Sequence, residues 1–97
     1  MYNLENKTAL ITGTAGEFGI GRSIALRLAA EGANIILNDL KKNNHKLINL
    51  KNKIIKNYSN CIIICGDISN SHDVKNIIKK INKKFKRSVI AIGNFDG

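Results

Sequence analysis

Between Thr12 and Asp39 the chain places glycines and a carboxylate at spacings suited to gripping a diphosphate and a sugar. Gly13, Gly16, Gly19 and Gly21 stud a turn that follows the apolar run Ala9-Leu10-Ile11 and leads into Ser23-Ile24-Ala25. Lacking Cβ atoms, such a turn lets backbone N–H groups close on a pyrophosphate. A helix starting there adds unpaired N–H donors and partial positive charge. Asp39 stands 20 residues beyond Gly19, at the end of a second apolar run, where an acid accepts hydrogen bonds from ribose hydroxyls. Gly19-Ile20-Gly21 lacks the third glycine of the strict G-x-G-x-x-G pattern, with Ala25 near its place. The order strand, turn, helix, strand, acid therefore carries the assignment. The competing readings are a tight turn without a ligand and, for Asp39, a cap on the following helix.

The elements that must position these residues alternate. Residues 8–12, 33–38, 61–65 and 88–92 read as strands; 21–31, 42–57 and a segment opening after Asn70 read as helices. Gly32 suits a helix C-terminus, and Asn70 with Asp73 three residues on resembles a capping box. Leu47, Leu50, Ile54, Ile55 and Tyr58 should face inward from the second helix. Val74, Ile77, Ile78, Ile81 and Phe85 form the apolar stripe of the third. The unbroken run 61–65 suits a strand covered on both faces. This alternation predicts a partial Rossmann-type α/β fold, a doubly wound parallel sheet in the order 3-2-1-4 with its switch point between strands one and four. Residues 13–21, Asp39, Gly66-Asp67-Ile68 and Gly93-Asn94 then all fall at strand carboxyl ends and form one site.

Composition narrows the function classes. The 97 residues suit a single dinucleotide-binding domain covering 1–97, with no room for a second, substrate-handling unit. The net charge of +9 raises nucleic acid as a partner, but Lys75, Lys79, Lys80, Lys83 and Lys84 alternate with the apolar stripe of the third helix and so coat its solvent face. That distribution argues against nucleic acid. Cys61 and Cys65 would share one face of a strand and cannot bridge, so they read as structural thiols. His45 and His72 are solitary, which leaves no metal site. Arg22 either approaches the phosphates or faces solvent. The N-terminus has neither a basic nor an apolar leader region and no segment is long enough to cross a bilayer, so a cytoplasmic setting is expected.

With these residues placed, the chain resembles the N-terminal half of a short-chain dehydrogenase/reductase over about residues 4–85. Lys7-Thr8-Ala9-Leu10-Ile11-Thr12-Gly13 is similar to that family's first strand, Gly19-Ile20-Gly21-Arg22-Ser23-Ile24-Ala25 to its first helix start, and Asp67-Ile68-Ser69 to its Asp-Val-Ser/Thr segment. The likeness is greatest to 3-oxoacyl-acyl-carrier-protein reductase-like members. It implies hydride transfer between nicotinamide and a carbonyl or alcohol substrate, and cofactor contacts from Gly13, Gly19, Ile20, Gly21, Asp39, Asp67, Ile68 and Asn94. It further implies a homo-oligomer at full length. The family's serine, tyrosine and lysine fall beyond residue 97. Tyr2 and Tyr58 cannot replace that tyrosine, because Asn6 and Ile62 stand where its lysine should be, four residues on. No catalytic residue is therefore assigned, and the chain reads as cut before the catalytic half and inactive alone.

Two departures stand out. Five residues separate Gly13 from Gly19 where the family has three. Asn94-Phe95-Asp96-Gly97 replaces Asn-Asn-Ala-Gly; with Ile92-Gly93 it also resembles the start of a nucleotidyltransferase motif of bacterial riboflavin kinase/FAD synthetases, though the histidines that should follow are absent. Cofactor choice leans to NAD over NADP. Asp39 repels a 2′-phosphate, and Phe18 occupies the position of the family's NADP-selecting cation, beside Glu17. Lys41 and Lys42 soften that preference. The alternatives are a non-catalytic nucleotide-binding or dimerising module and a basic nucleic-acid-binding domain.

Overall fold

Short apolar runs rich in isoleucine, each too brief for a helix, pair here into one sheet. The computed structural model describes residues 4–16, 19–84 and 89–92. Its strands are β1 (Thr8–Ile11), β2 (Asn34–Leu37), β3 (Cys61–Ile63) and β4 (Val89–Ile92), in the order β3-β2-β1-β4. Every neighbouring pair is parallel, as the alternation with helices requires. Ile11 lies opposite both Leu37 and Ile92. The three strands therefore finish level, and the loops that leave β1 and β2 start side by side.

Three helices make the crossovers: α1 (Ile20–Ala30), α2 (Asn44–Asn57) and α3 (Ser71–Lys84). Gly21, Ala25 and Ala29 are the buried positions of α1, and their small size lets the helix lie close to the sheet. The helix ends in a Schellman arrangement. Gly32, at φ 96, donates to Ala29 O (2.9 Å), and Ala33 donates to Leu28 O (3.1 Å).

Side-chain alternation along β2 divides the core. Ile35 and Leu37 meet Ala25 and Ala29 of α1 and Leu47, Leu50 and Ile54 of α2, while Ile36 points to the other face and packs with Ile64, Ile77 and Ile81. Each fully buried Leu or Ile is worth about 1.5–3 kcal/mol. The α1/α2 face is the more heavily packed.

Several expectations need correction. Ile55, Tyr58 and Ile78 are exposed, at 52%, 49% and 51%. Adjacent helical residues diverge by about 100°, so once Ile54 and Ile77 face the sheet Ile55 and Ile78 cannot. Val74 is half-buried, and Phe85 lies outside the described residues. β3 is an edge strand, and Ile62 and Ile63 are only partly covered. Residues 41–43 form a 3₁₀ turn before α2. Only one leg of the capping box exists. Asn70 Oδ1 accepts the Asp73 N–H (3.0 Å), but Asp73 Oδ2 accepts from the Asp67 N–H (2.9 Å).

The lysines of α3 are exposed, as are His45 and His72. Cys61 and Cys65 are free thiols. Burial pushes the Cys61 thiol up to about 12, against the opposing influence of Lys51. Among the described residues, no helix is long and apolar enough to cross a membrane.

Candidate functional site

The glycine-rich turn is fixed from below by Thr14, which is buried. Its hydroxyl donates to Ile11 O (2.7 Å) and lies 3.3 Å from Asn38 O, which also accepts the Thr14 N–H at 3.2 Å. The backbone then folds back on itself through Gly16 N–H to Gly13 O (3.1 Å) and Gly19 N–H to Gly16 O (3.2 Å). Gly13 and Gly19 hold φ of 66° and 69°, in the left-handed region that L side chains resist. Gly21 answers a different need. A Cβ there would stand 3.1 Å from Thr14 Cα and 3.2 Å from Gly13 O, so α1 meets the turn backbone to backbone. Gly19 at the α1 N-cap offers no side-chain cap, and a helix start leaves its first N–H groups without intrahelical partners.

Asp39 closes the turn from the opposite side. Its Oδ2 accepts the Ala15 N–H (2.8 Å), and its Oδ1 accepts the Leu40 N–H (2.7 Å) and the Asn43 side-chain amide (3.0 Å). The alternative of a cap on the second helix is not what forms. The residue at the α2 N-cap is Asn43, and Asp39 instead spans the gap between the β1 and β2 loops. A carboxylate offers about four lone-pair sites, so acceptor capacity remains beside these three donors.

Gly13, Thr14, Gly19, Asp39 and the α2 residues Lys46 and Leu47 line a cleft of about 800 Å³, together with Ala15, Gly16, Arg22, Lys42, Asn43, Asn49 and Leu50. Arg22 is exposed and lies on the cleft. Sequence reasoning missed Lys46, Asn43 and Ala15. Lys46 follows Lys42 at i+4, a spacing that puts both on one helix face. Ala15 contributes only a backbone N–H, which no side-chain pattern reveals.

The structure divides the other expected site residues. Ile20 and Gly21 begin α1 at the rim of the turn, Ile20 being 42% exposed. Asp67 and Ile68 sit at the end of the β3 segment and do not line the cleft. Asp67 Oδ1 accepts both the Ser69 hydroxyl (2.6 Å) and the Ser69 N–H (2.9 Å). Those bonds, the hydroxyl's first, hold its carboxyl below the usual carboxylate range. Ile68 is 43% exposed, an apolar surface beside that carboxylate. Asn94 lies outside the described residues, as do Glu17 and Phe18. Among the described residues no group of three or more histidines, cysteines or acids could hold a metal.

Comparison with known proteins agrees with this architecture. The short chain dehydrogenase family model matches residues 7–94. The chain is 33% identical over 92 residues to the "uncharacterized oxidoreductase YhxC" of Bacillus subtilis, covering 94% of this chain and 31% of that protein. It is also 33% identical over 92 residues to the 3-oxoacyl-[acyl-carrier-protein] reductase FabG of Staphylococcus epidermidis, covering 92% and 35% of the two chains. A solved dehydrogenase/reductase from Sinorhizobium meliloti superposes with a TM-score of 0.83 at 25% identity, over 94% of this chain and 35% of that one. The chain thus spans about a third of the length of the curated relatives it matches. A glycine-rich turn locked to a carboxylate across parallel strand ends, and a family match along nearly the whole sequence, lead to one conclusion: this chain belongs to the short chain dehydrogenase family.

Proposed function

We propose that residues 1–97 form a single dinucleotide-binding unit, the cofactor-holding part of an oxidoreductase that moves hydride between a nicotinamide dinucleotide and a carbonyl or alcohol substrate. The observation that carries this is Asp39, bonded directly to the glycine-rich turn on the wall of the cleft, with its carboxylate held in place by three donors. The residues present fit such a cofactor. A Cβ added at Gly19 meets nothing within 4 Å among the described residues, so the turn faces open space of the kind a diphosphate would fill.

In this reading the backbone at Gly13, Gly19, Ile20 and Gly21 receives the pyrophosphate. Asp39 takes the adenosine ribose hydroxyls, Asp67 and Ile68 border the adenine, and Asn94 belongs near the nicotinamide end. The bound cofactor supplies or accepts the hydride. This chain's residues orient it and hold its charged groups, and no proton-transferring residue is assigned among them. NAD is preferred over NADP because the Asp39 carboxylate would face a 2′-phosphate; Lys42 and Lys46 on the same cleft temper that repulsion. Self-association of the full-length protein and a cytoplasmic setting complete the proposal, the free thiols suiting a reducing compartment.

Isothermal titration with ADP-ribose, NAD and NADP tests this directly. ADP-ribose and NAD should bind, and NADP more weakly. Folded protein giving no heat with any of the three would overturn the proposal, and NADP binding as tightly as NAD would overturn the preference.

A further inference from the structure

We propose that Asn38, which is not among the residues lining the cleft above, is a positioning residue that fastens the Gly66-Asp67-Ile68 turn to Asp39 and the glycine-rich turn and so sets affinity for the adenosine half of the ligand. This rests on the nucleotide reading above. Asn38 is 1% exposed and sits one residue past β2, where the regular ladder stops. Beyond β3 the chain continues to donate to β2 and the residues after it, through Ile64 N–H to Leu37 O (3.0 Å) and Gly66 N–H to Asp39 O (3.1 Å).

The carbonyls on the same stretch need donors in return, and the Asn38 side chain supplies them. Its Nδ2 donates to Ile64 O at 2.8 Å and lies 3.4 Å from Gly66 O. One primary amide nitrogen carries two hydrogens, enough for both carbonyls. On the other side, the Asn38 backbone carbonyl takes the Thr14 N–H, and its own N–H goes to Ile11 O at 2.9 Å. One buried residue therefore touches all three loops that leave the carboxyl ends of β1, β2 and β3.

The residue type follows from this geometry. Aspartate, equal in shape, would turn carboxylate oxygens toward two carbonyl oxygens. Leucine would leave both carbonyls without that donor, and glutamine is one methylene too long for a site with no exposed surface.

The experiment uses Asn38→Asp and Asn38→Leu beside the parent chain. ADP-ribose affinity is read by calorimetry, and amide hydrogen exchange by NMR. With the Ile35, Ile36 and Leu37 amides still protected, each variant should lose about tenfold or more in ADP-ribose affinity. Exchange at Gly66 and Asp67 should rise by a similar factor while the strand amides stay unchanged. A variant that binds ADP-ribose within about twofold of the parent, or whose amides all exchange faster together, overturns the proposal. If neither variant folds, the parent decides: both Asn38 side-chain amide protons should exchange far more slowly than those of exposed Asn52, and equal rates would overturn it. A parent that binds no ADP-ribose refutes the nucleotide reading instead, which separates the two failures.

Discussion

Replacing Gly21 with alanine sets two effects of opposite sign against each other, and the structure decides between them. In a helix interior, glycine to alanine gains about 0.8–1.0 kcal/mol. Gly21 is the second residue of α1, so its share of that gain is smaller. Against it stands a new Cβ 3.1 Å from Thr14 Cα and 3.2 Å from Gly13 O, where carbon contacts prefer about 3.5–4.0 Å. Both neighbours are backbone, and the turn carrying them is pinned by Thr14 and by the Asp39–Ala15 bond, so neither yields cheaply. Overpacking of this kind costs about 1–3 kcal/mol. The net loss is about 1 kcal/mol, which in a domain this size lowers Tm by roughly 4–8 °C. Gly19→Ala is the informative contrast, since it forces a side chain into φ 69° at about 1–2 kcal/mol but strikes no described atom. Thermal melts followed by circular dichroism, with NMR shifts of the Thr14 and Ala15 amides, distinguish the two. Gly21→Ala should displace those amides and Gly19→Ala should not. A Gly21→Ala chain that melts higher than the parent, with the Ala15 amide unmoved, would refute the packing argument.

Asp39→Ala should weaken ADP-ribose binding by about tenfold, narrow any gap between NAD and NADP, and speed exchange of the Ala15 amide; unchanged affinity would remove Asp39 from the site. Ser69→Ala should raise the Asp67 carboxyl pKa toward its ordinary value, read by NMR titration. Because Asp67 is lowered in the folded state, its stabilising contribution is present above the ordinary carboxylate pKa of about 3.9. It fades as pH falls through the folded value, and the variant should keep only the smaller part that the Ser69 N–H supplies. Ellman's reagent should label half-buried Cys65 well before buried Cys61, whose raised pKa keeps it a thiol at neutral pH; equal rates in native buffer would contradict this.

Much of the scaffold was legible because periodicity reports one-dimensional facts. Strand order 3-2-1-4 followed from alternation and handedness, and the helix end at Gly32 followed from residue type. The failures share a cause. Ile55 and Ile78 look as apolar as Ile54 and Ile77, and only the packed helix shows which of each pair the sheet can accept. Asp39 was found as an acid at the right offset, yet its engagement with Ala15 depends on a backbone N–H brought near by tertiary folding. Asn38 looks in the sequence like no more than the last residue of a strand, because nothing there marks a side chain that replaces a ladder rung.

The distribution of buried polar groups supports treating the strand ends as built for a purpose, and it yields a sharp comparison. Of the buried polar residues described, Thr12, Thr14 and Asn38 sit at the carboxyl ends of β1 and β2, and Thr8 at the opposite end of β1. The Thr14 hydroxyl and the Asn38 amide are spent on backbone carbonyls, whereas Thr8 Oγ1 is buried without a hydrogen-bond partner among the described residues. A buried hydroxyl with no partner is a liability that valine, of equal shape, removes. One that holds two loops is lost at a cost. Thr8→Val should therefore leave stability unchanged or raise it, whereas Thr14→Val should lower it by about 1–2 kcal/mol and loosen the turn. Chemical denaturation of the two variants beside the parent measures the difference. If Thr14→Val proved as harmless as Thr8→Val, the glycine-rich turn would not owe its shape to the hydrogen bonds beneath it, and the case for a preformed site would lose its foundation.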